Sequence, residues 1–429
     1  MKPNAWVVCS AIALAGCSSI PEKTNQPLTS SAEPRYAVSE KMATLPDNTV
    51  VLLSFSGGGT RAASFSYGVM KGLRDYRYEY QGQTHRLLDQ VNAISSVSGG
   101  SFTSAYYGLY GEAIFDDFEQ AFLYKDVTTS LKDIVMSPEY WFSKHARSVA
   151  AAEYYNAHIF QDTTFSALRD DGPMIIINAT DLSTGARFSF TQEYFDLICS
   201  DLNRYSISDA VTASSAVPLL FSPVLLENYP GCERSVYSTQ SRNRTLHSAT
   251  NRSLKKFEDK ERYQYLHLVD GGISDNLGLH ALYDLVTTQD FGLVAEKDRL
   301  QTVVVISVDA AVRPDWEIGH QKQEPTMSNL LGSASDVQIH RYNDLSKTYL
   351  SMILDEWQAQ QPDRRYLFVD INLSTAEDQA FVQSIPTDFH LKEAQVTRLI
   401  EHGYQQVMTH PELAHFIYQG THPQEANRE

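Results

Sequence analysis

The segment Val50-Val51-Leu52-Leu53-Ser54-Phe55-Ser56-Gly57-Gly58-Gly59-Thr60-Arg61 decides how the rest of the chain is read. It opens on a short apolar run bounded by glycine, the pattern of a buried strand. Three glycines then let the backbone turn sharply and admit a ligand close to its N–H groups. From Ala62 to Leu73 the pattern is helical. A turn of this kind at a helix N-terminus presents unpaired N–H groups and the positive end of the helix dipole. That cradle suits either a phosphate or the oxyanion of acyl transfer. Gly57-x-Gly59-x-x-Ala62 also meets a loose dinucleotide fingerprint, which needs an acidic residue closing a second strand about 20 residues on. Arg74 to Gly82 is polar and does not read as that strand, so the dinucleotide reading is set aside.

The same texture recurs downstream. Gln90–Val97 reads as a strand that runs into Ser98-Gly99-Gly100 and a helix to about Tyr110. Ser96-Val97-Ser98-Gly99-Gly100 is similar to the nucleophile elbow G-x-S-x-G, where small neighbours let a serine occupy a crowded, strained turn. Ser96 stands where that pattern has its first glycine. Met174–Ala179, Leu266–Val269, Thr302–Val308 and Tyr366–Ile371 read as further strands. Leu268-Val269-Asp270-Gly271-Gly272 places a carboxylate at a strand's C-terminal end, with two glycines to turn it. Strands separated by helices and closed by glycine turns imply an α/β fold, a mostly parallel sheet with helices on both faces.

The order of glycine loop, serine elbow and Asp-Gly-Gly resembles the patatin-like phospholipases, serine acyl hydrolases that use a Ser–Asp dyad. Gly57-Gly58-Gly59-Thr60-Arg61 matches that family's oxyanion-hole motif, Ser98 its nucleophile and Asp270 the acid of its D-G-G/A motif. Asn178-Ala179-Thr180-Asp181-Leu182-Ser183-Thr184-Gly185 and the run from Ala213 to Pro223 agree with it. The resemblance extends from about Val50 to Val308, with Ser96 for glycine and Ala62 for a frequent glycine as departures. It implies a three-layer α/β/α patatin-like fold with a C-terminal helical extension. It implies that Ser98 attacks an acyl ester and that Asp270 relays the proton. Gly57, Gly58, Gly59 and Arg61 would form the oxyanion hole, with Arg61 either orienting the loop or meeting a lipid phosphate. No metal and no cofactor is called for. Membrane glycerophospholipids or lysophospholipids are the substrates so implied.

The N-terminus reads as export machinery. One early Lys, an apolar run from Ala5 to Ala15 and small residues after it match a secretory signal over residues 1–16. Leu14-Ala15-Gly16-Cys17 resembles the lipobox of bacterial lipoproteins, which makes Cys17 an acylated anchor to a bilayer. Ser18 after it favours the outer membrane, on its periplasmic face. Residues 17–48, rich in Ser, Thr, Pro and Asn, read as a flexible tether. In an oxidising compartment Cys199 and Cys232 are then a disulfide candidate pair.

The chain has 429 residues, with 35 basic and 52 acidic and a net charge of −17, which argues against nucleic acid as a partner. Residues 49–310 read as the hydrolase domain, and residues 234–262 within it form a cationic insertion with eight basic residues against three acidic. Residues 311–429 read as an extension packing on the core, with a helix over about Lys392–Met408. Two rival readings follow from the same residues. One is a Ser-His-Asp triad using His280, His320 or His340, all downstream of Asp270. The other is an inactive lipid-binding or scaffold lipoprotein on the same fold.

Overall fold

The computed structural model describes residues 23–29, 35–42, 48–80, 82–136, 147–218, 220–232, 252–287, 300–312, 326–376 and 378–413, with Lys322, Glu324 and Phe416. The signal segment, Cys17, His320 and residues 234–251 of the insertion lie outside them.

The opening run becomes β1 (Thr49–Phe55), buried from Val50 onward. It is followed by a hairpin, β2 (Arg77–Tyr80) and β3 (Gln83–Arg86), then β4 (Val91–Val97), β5 (Met174–Asp181), β6 (Arg187–Ser189), β7 (Val224–Glu227), β8 (Tyr265–Asp270), β9 (Thr302–Asp309) and β10 (Arg365–Asn372). The central sheet runs β10-β9-β1-β4-β5-β8-β7, with β6 on β5, while β2 and β3 pair only with each other. The stretch judged too polar for a sheet strand therefore does form one, outside the central sheet. β10, β9, β1, β4 and β5 are parallel, β8 runs antiparallel to β5, and β7 at the far edge runs antiparallel to β8. Strands covered on both faces carry continuous apolar runs, as Thr302–Asp309 does with all its residues buried.

Helices α2 (Gly59–Asp75) and α3 (Gly99–Tyr110) follow β1 and β4 directly. With the helix Glu393–Met408 they form one outer layer, and the helices Leu279–Thr287 and Met327–Ala359 form the other. The C-terminal part is thus built into the core and supplies β10 as well as helices. α2 and the helix Glu393–Met408 touch through glycine: a Cβ at Gly68 would lie 2.2 Å from the Ile400 carbonyl oxygen, and one at Gly403 2.4 Å from that of Phe65. No larger residue permits this approach.

One sequence expectation changes here, and the candidate disulfide is found. Residues 23–29 and 35–42 are not a free tether. Thr24 N–H donates to the Leu225 carbonyl at 3.1 Å and Leu28 N–H to that of Cys199 at 2.8 Å. Asn25 is buried, as are Val38 and Met42 of α1 (Val38–Met42). The polar composition that suggested mobility instead supplies hydrogen bonds to an open sheet edge. Cys199 and Cys232 are disulfide-bonded, with Cα atoms 5.6 Å apart.

Candidate active site

Ser98 is the residue between β4 and α3, with φ 49° and ψ −120°. A non-glycine residue at positive φ costs about 1–3 kcal/mol and persists only where its surroundings hold it. Those surroundings are explicit. Ser98 N–H donates to Ser214 Oγ at 2.9 Å, and Ser214 Oγ in turn donates to the Asn178 carbonyl at 2.6 Å. A Cβ at Gly99 would fall 2.0 Å from the Gly59 carbonyl oxygen, and one at Gly100 2.7 Å from Phe55 Cβ. Ser96, the departure from the elbow pattern, fits because its hydroxyl accepts from Ser104 Oγ at 2.6 Å in a buried pocket.

Asp270 closes β8, opposite Ala179 of β5. Its N–H donates to the Ala216 carbonyl at 3.0 Å, and its own carbonyl accepts from Thr180 Oγ1 at 2.9 Å. The carboxylate accepts from Gly272 N–H at 2.7 Å, and the Ser98 side chain lies near enough to pull its pKa down. Burial pushes its pKa up to about 6, against the pull of those two groups. The structure therefore joins the two residues that lie 172 positions apart in the sequence.

The glycine loop abuts the same point: a Cβ at Gly57 would lie 3.3 Å from Ser98 Cβ. Its four candidate residues divide into two pairs. Gly57 N–H is taken by the Asn276 carbonyl at 3.0 Å, so Gly57 is not an oxyanion donor as the sequence suggested. Arg61 is buried, with Nε on the Ala310 carbonyl and one terminal nitrogen on that of Ile385, both at 2.9 Å. Burial lowers its pKa to about 10. It ties the loop to two distant segments and is almost wholly shielded from solvent, as the loop-orienting alternative requires. Gly58 and Gly59 sit at φ 140° and 60°, and among the described residues neither N–H has an acceptor.

The triad reading finds no support among the described histidines. His280 bonds Ser346 Oγ at 3.1 Å, and His340 bonds the Val312 carbonyl at 2.9 Å. The described part of the cationic insertion is docked rather than free. Leu254 and Phe257 are buried, and Lys260 Nζ donates to Asn228 Oδ1 at 2.5 Å, with its pKa lowered to about 8 by burial.

The family model described as patatin-like phospholipase matches residues 53–283, more than half of the chain. The chain belongs to the patatin-like phospholipase family. Solved structures similar to it include human GIVD cytosolic phospholipase A2, at 13% identity, covering 87% of this chain and 61% of that one with a TM-score of 0.42. VipD from Legionella pneumophila is another, at 13% identity, covering 85% and 66% with a TM-score of 0.35. The chain thus spans less than two thirds of either protein. No curated protein matches it.

Three residues of this patatin-like site carry geometry that the sequence reading did not assign. Ser214 pins the elbow and lies inside the quoted Ala213–Pro223 run. Asn276 holds Gly57 by its carbonyl, six residues past Asp270, and its side chain crowds both Gly57 and Gly272. The Asp388 carbonyl accepts Thr60 N–H at 2.9 Å, from the segment just before the helix Glu393–Met408. Asn276 was findable from its place beside Asp-Gly-Gly, whereas Asp388 has no local signature.

Proposed function

We propose that the chain is a membrane-anchored serine acyl hydrolase that cleaves fatty-acyl esters of glycerophospholipids or lysophospholipids. The observation that carries this is the approach of the strained Ser98 to the buried Asp270 carboxylate, beside the Gly58 and Gly59 N–H groups, which have no acceptor among the described residues. Ser98 Oγ attacks the ester carbonyl as Asp270 takes its proton. The carbonyl oxygen becomes an oxyanion that Gly58 and Gly59 N–H receive, each such donor supplying on the order of 3 kcal/mol. Collapse breaks the ester bond, and Asp270 returns the proton to the departing alcohol. Water, deprotonated by the same carboxylate, then releases the fatty acid from Ser98.

A lipid substrate is supported by exposed apolar side chains close in sequence to the hydrogen-bond partners of Asp270. Leu182, Leu220 and Ile273 are exposed, each on a segment that touches Asp270. Because β8 is antiparallel to β5, the cationic insertion leaves the sheet on the side of the parallel strands' C-terminal ends, where anionic head groups would meet it. Acylation at Cys17 places the enzyme on the periplasmic face of the outer membrane. The deciding experiment is release of fatty acid from phospholipid and lysophospholipid vesicles by wild type and Ser98→Ala. Equal rates would overturn the reading and favour the lipid-binding scaffold.

A further inference from the structure

Asn178 on β5 sits where the three parts of the site meet. In the sheet it lies beside Val97, the residue before Ser98, and its successor Ala179 lies beside Asp270. Its carbonyl takes the Ser214 hydroxyl that pins Ser98. The same carbonyl oxygen would lie 2.3 Å from a Cβ at Gly271, so it also shapes the turn after the acid. The Asn178 side chain, wholly buried, reaches the third part. Its Nδ2 donates to Ser95 Oγ at 2.9 Å, and Ser95 Oγ donates to the Gly278 carbonyl at 2.6 Å. Gly278 closely follows Asn276, whose carbonyl accepts Gly57 N–H.

A side-chain amide can enter such a pocket either way round, with opposite sets of bonds. Here the choice is forced. A guanidinium has donors only, so Arg187 on β6 admits only the amide oxygen. One terminal nitrogen of Arg187 donates to Asn178 Oδ1 at 3.3 Å. Ser189 Oγ, itself bonded to Arg187, donates to the same oxygen at 2.6 Å. Nδ2 is left to face Ser95 Oγ and the Ser96 carbonyl, the latter at 3.1 Å. The other terminal nitrogen of Arg187 bonds Asp284 of the helix Leu279–Thr287, and these two side chains are only 4% and 8% exposed. A charge pair so buried is weak evidence for stability by itself, because desolvation offsets the attraction. What this one supplies is a fixed guanidinium plane, and with it a fixed amide. We propose that Asn178 is a positioning residue for acyl transfer, oriented by the Arg187–Asp284 pair, and that it holds Ser98, Asp270 and the glycine loop in one register. The proposal rests on the acyl-hydrolase reading.

The test measures kcat and KM on a small soluble ester in the full chain, per active site counted by covalent labelling of Ser98 with a fluorophosphonate, with Ser98→Ala as the blank. Asn178→Asp keeps the shape and the contact with Arg187. It sets an oxygen against the Ser96 carbonyl and draws the Ser95 hydroxyl away from Gly278, so kcat should fall about 10²-fold with KM unchanged. Arg187→Lys keeps a charge facing Asp284 and so keeps the fold. Its single ammonium lacks the planar fork that serves Asp284 and Asn178 together, so kcat should fall about tenfold, again with KM unchanged. Residues that only hold the fold together would lower the melting temperature and the number of labelled sites and leave kcat per site alone. Wild-type kcat per site in Arg187→Lys overturns the proposal, whether or not Asn178→Asp folds, and so does a loss carried by KM. A wild type no faster than Ser98→Ala overturns the acyl-hydrolase reading itself, and this proposal with it.

Discussion

Two turns stand side by side on neighbouring parallel strands, since Phe55 of β1 pairs with Ser96 of β4. Both pass from strand to helix through glycine. In the first, positive φ falls on Gly58 and Gly59, and in the second on Ser98. The first turn has to present backbone N–H groups, so a side chain there is an obstruction. The second has to present a hydroxyl, so the strain must sit on the residue that carries it. Conformational strain is thus placed where chemistry needs a side chain and avoided where chemistry needs only backbone.

The largest effect expected tests the second turn. Ser98→Ala should lower ester turnover by at least about 10³-fold with its melting temperature near wild type. Ser98→Gly should be as inactive yet melt higher, because glycine adopts φ 49° without strain. Equal melting temperatures for the two variants would break the comparison.

Next comes its partner. Asp270→Asn should cost on the order of 10³-fold in turnover, and kcat/KM of the wild type should rise with pH through about 6 as the carboxylate ionises. The folded pKa is raised above the ordinary 3.8, so the folded state holds this proton more tightly than the unfolded chain. The group therefore favours folding most below about pH 4, and that contribution is lost as pH rises through about 6. At pH 8 the Asn variant should melt no lower than wild type, and a clear drop in differential scanning calorimetry would contradict the burial argument.

The first turn should respond differently. Gly59→Ala meets both φ 60° and the Asp388 carbonyl oxygen at 2.5 Å, so it should lose stability by more than about 1 kcal/mol and turnover by about 10²-fold together. Arg61→Lys replaces a two-carbonyl brace by a single ammonium, for an expected loss of about tenfold in kcat with KM unchanged. A KM rise confined to anionic lipids would reassign Arg61 to head-group contact. The smallest effect is Ser96→Gly, which loses two buried hydroxyl contacts, with Ser104 and the Ile176 carbonyl, worth about 1 kcal/mol each at most, and should leave kcat intact.

The same two turns show what the sequence discloses. Ser98, Asp270, Gly58 and Gly59 were legible because turn geometry is local: a glycine beside a strand end states its own backbone requirement. The buried apolar strands were legible for the same reason. The occupation of Gly57 N–H and the direction of Arg61 were not, because Asn276, Ala310, Ile385 and Asp388 arrive from more than 200 residues away. β6 and β7 were missed because strands of three and four residues carry too little pattern. The docked N-terminal stretch was missed because its polar residues read alike whether they bond water or a sheet edge.

That docked stretch sets a length scale. Lys23 bridges Leu225 beside the edge strand β7 and pairs with Glu227 at 2.5 Å. Six residue steps separate Cys17 from Lys23, a span of at most about 20 Å when fully extended. With Cys17 acylated, the edge of the sheet hovers within one leaflet's thickness of the head groups instead of roaming on a long leash. Such an enzyme samples only the patch of lipid beneath it, so its rate should follow the surface mole fraction of substrate and be indifferent to how many vesicles share the tube.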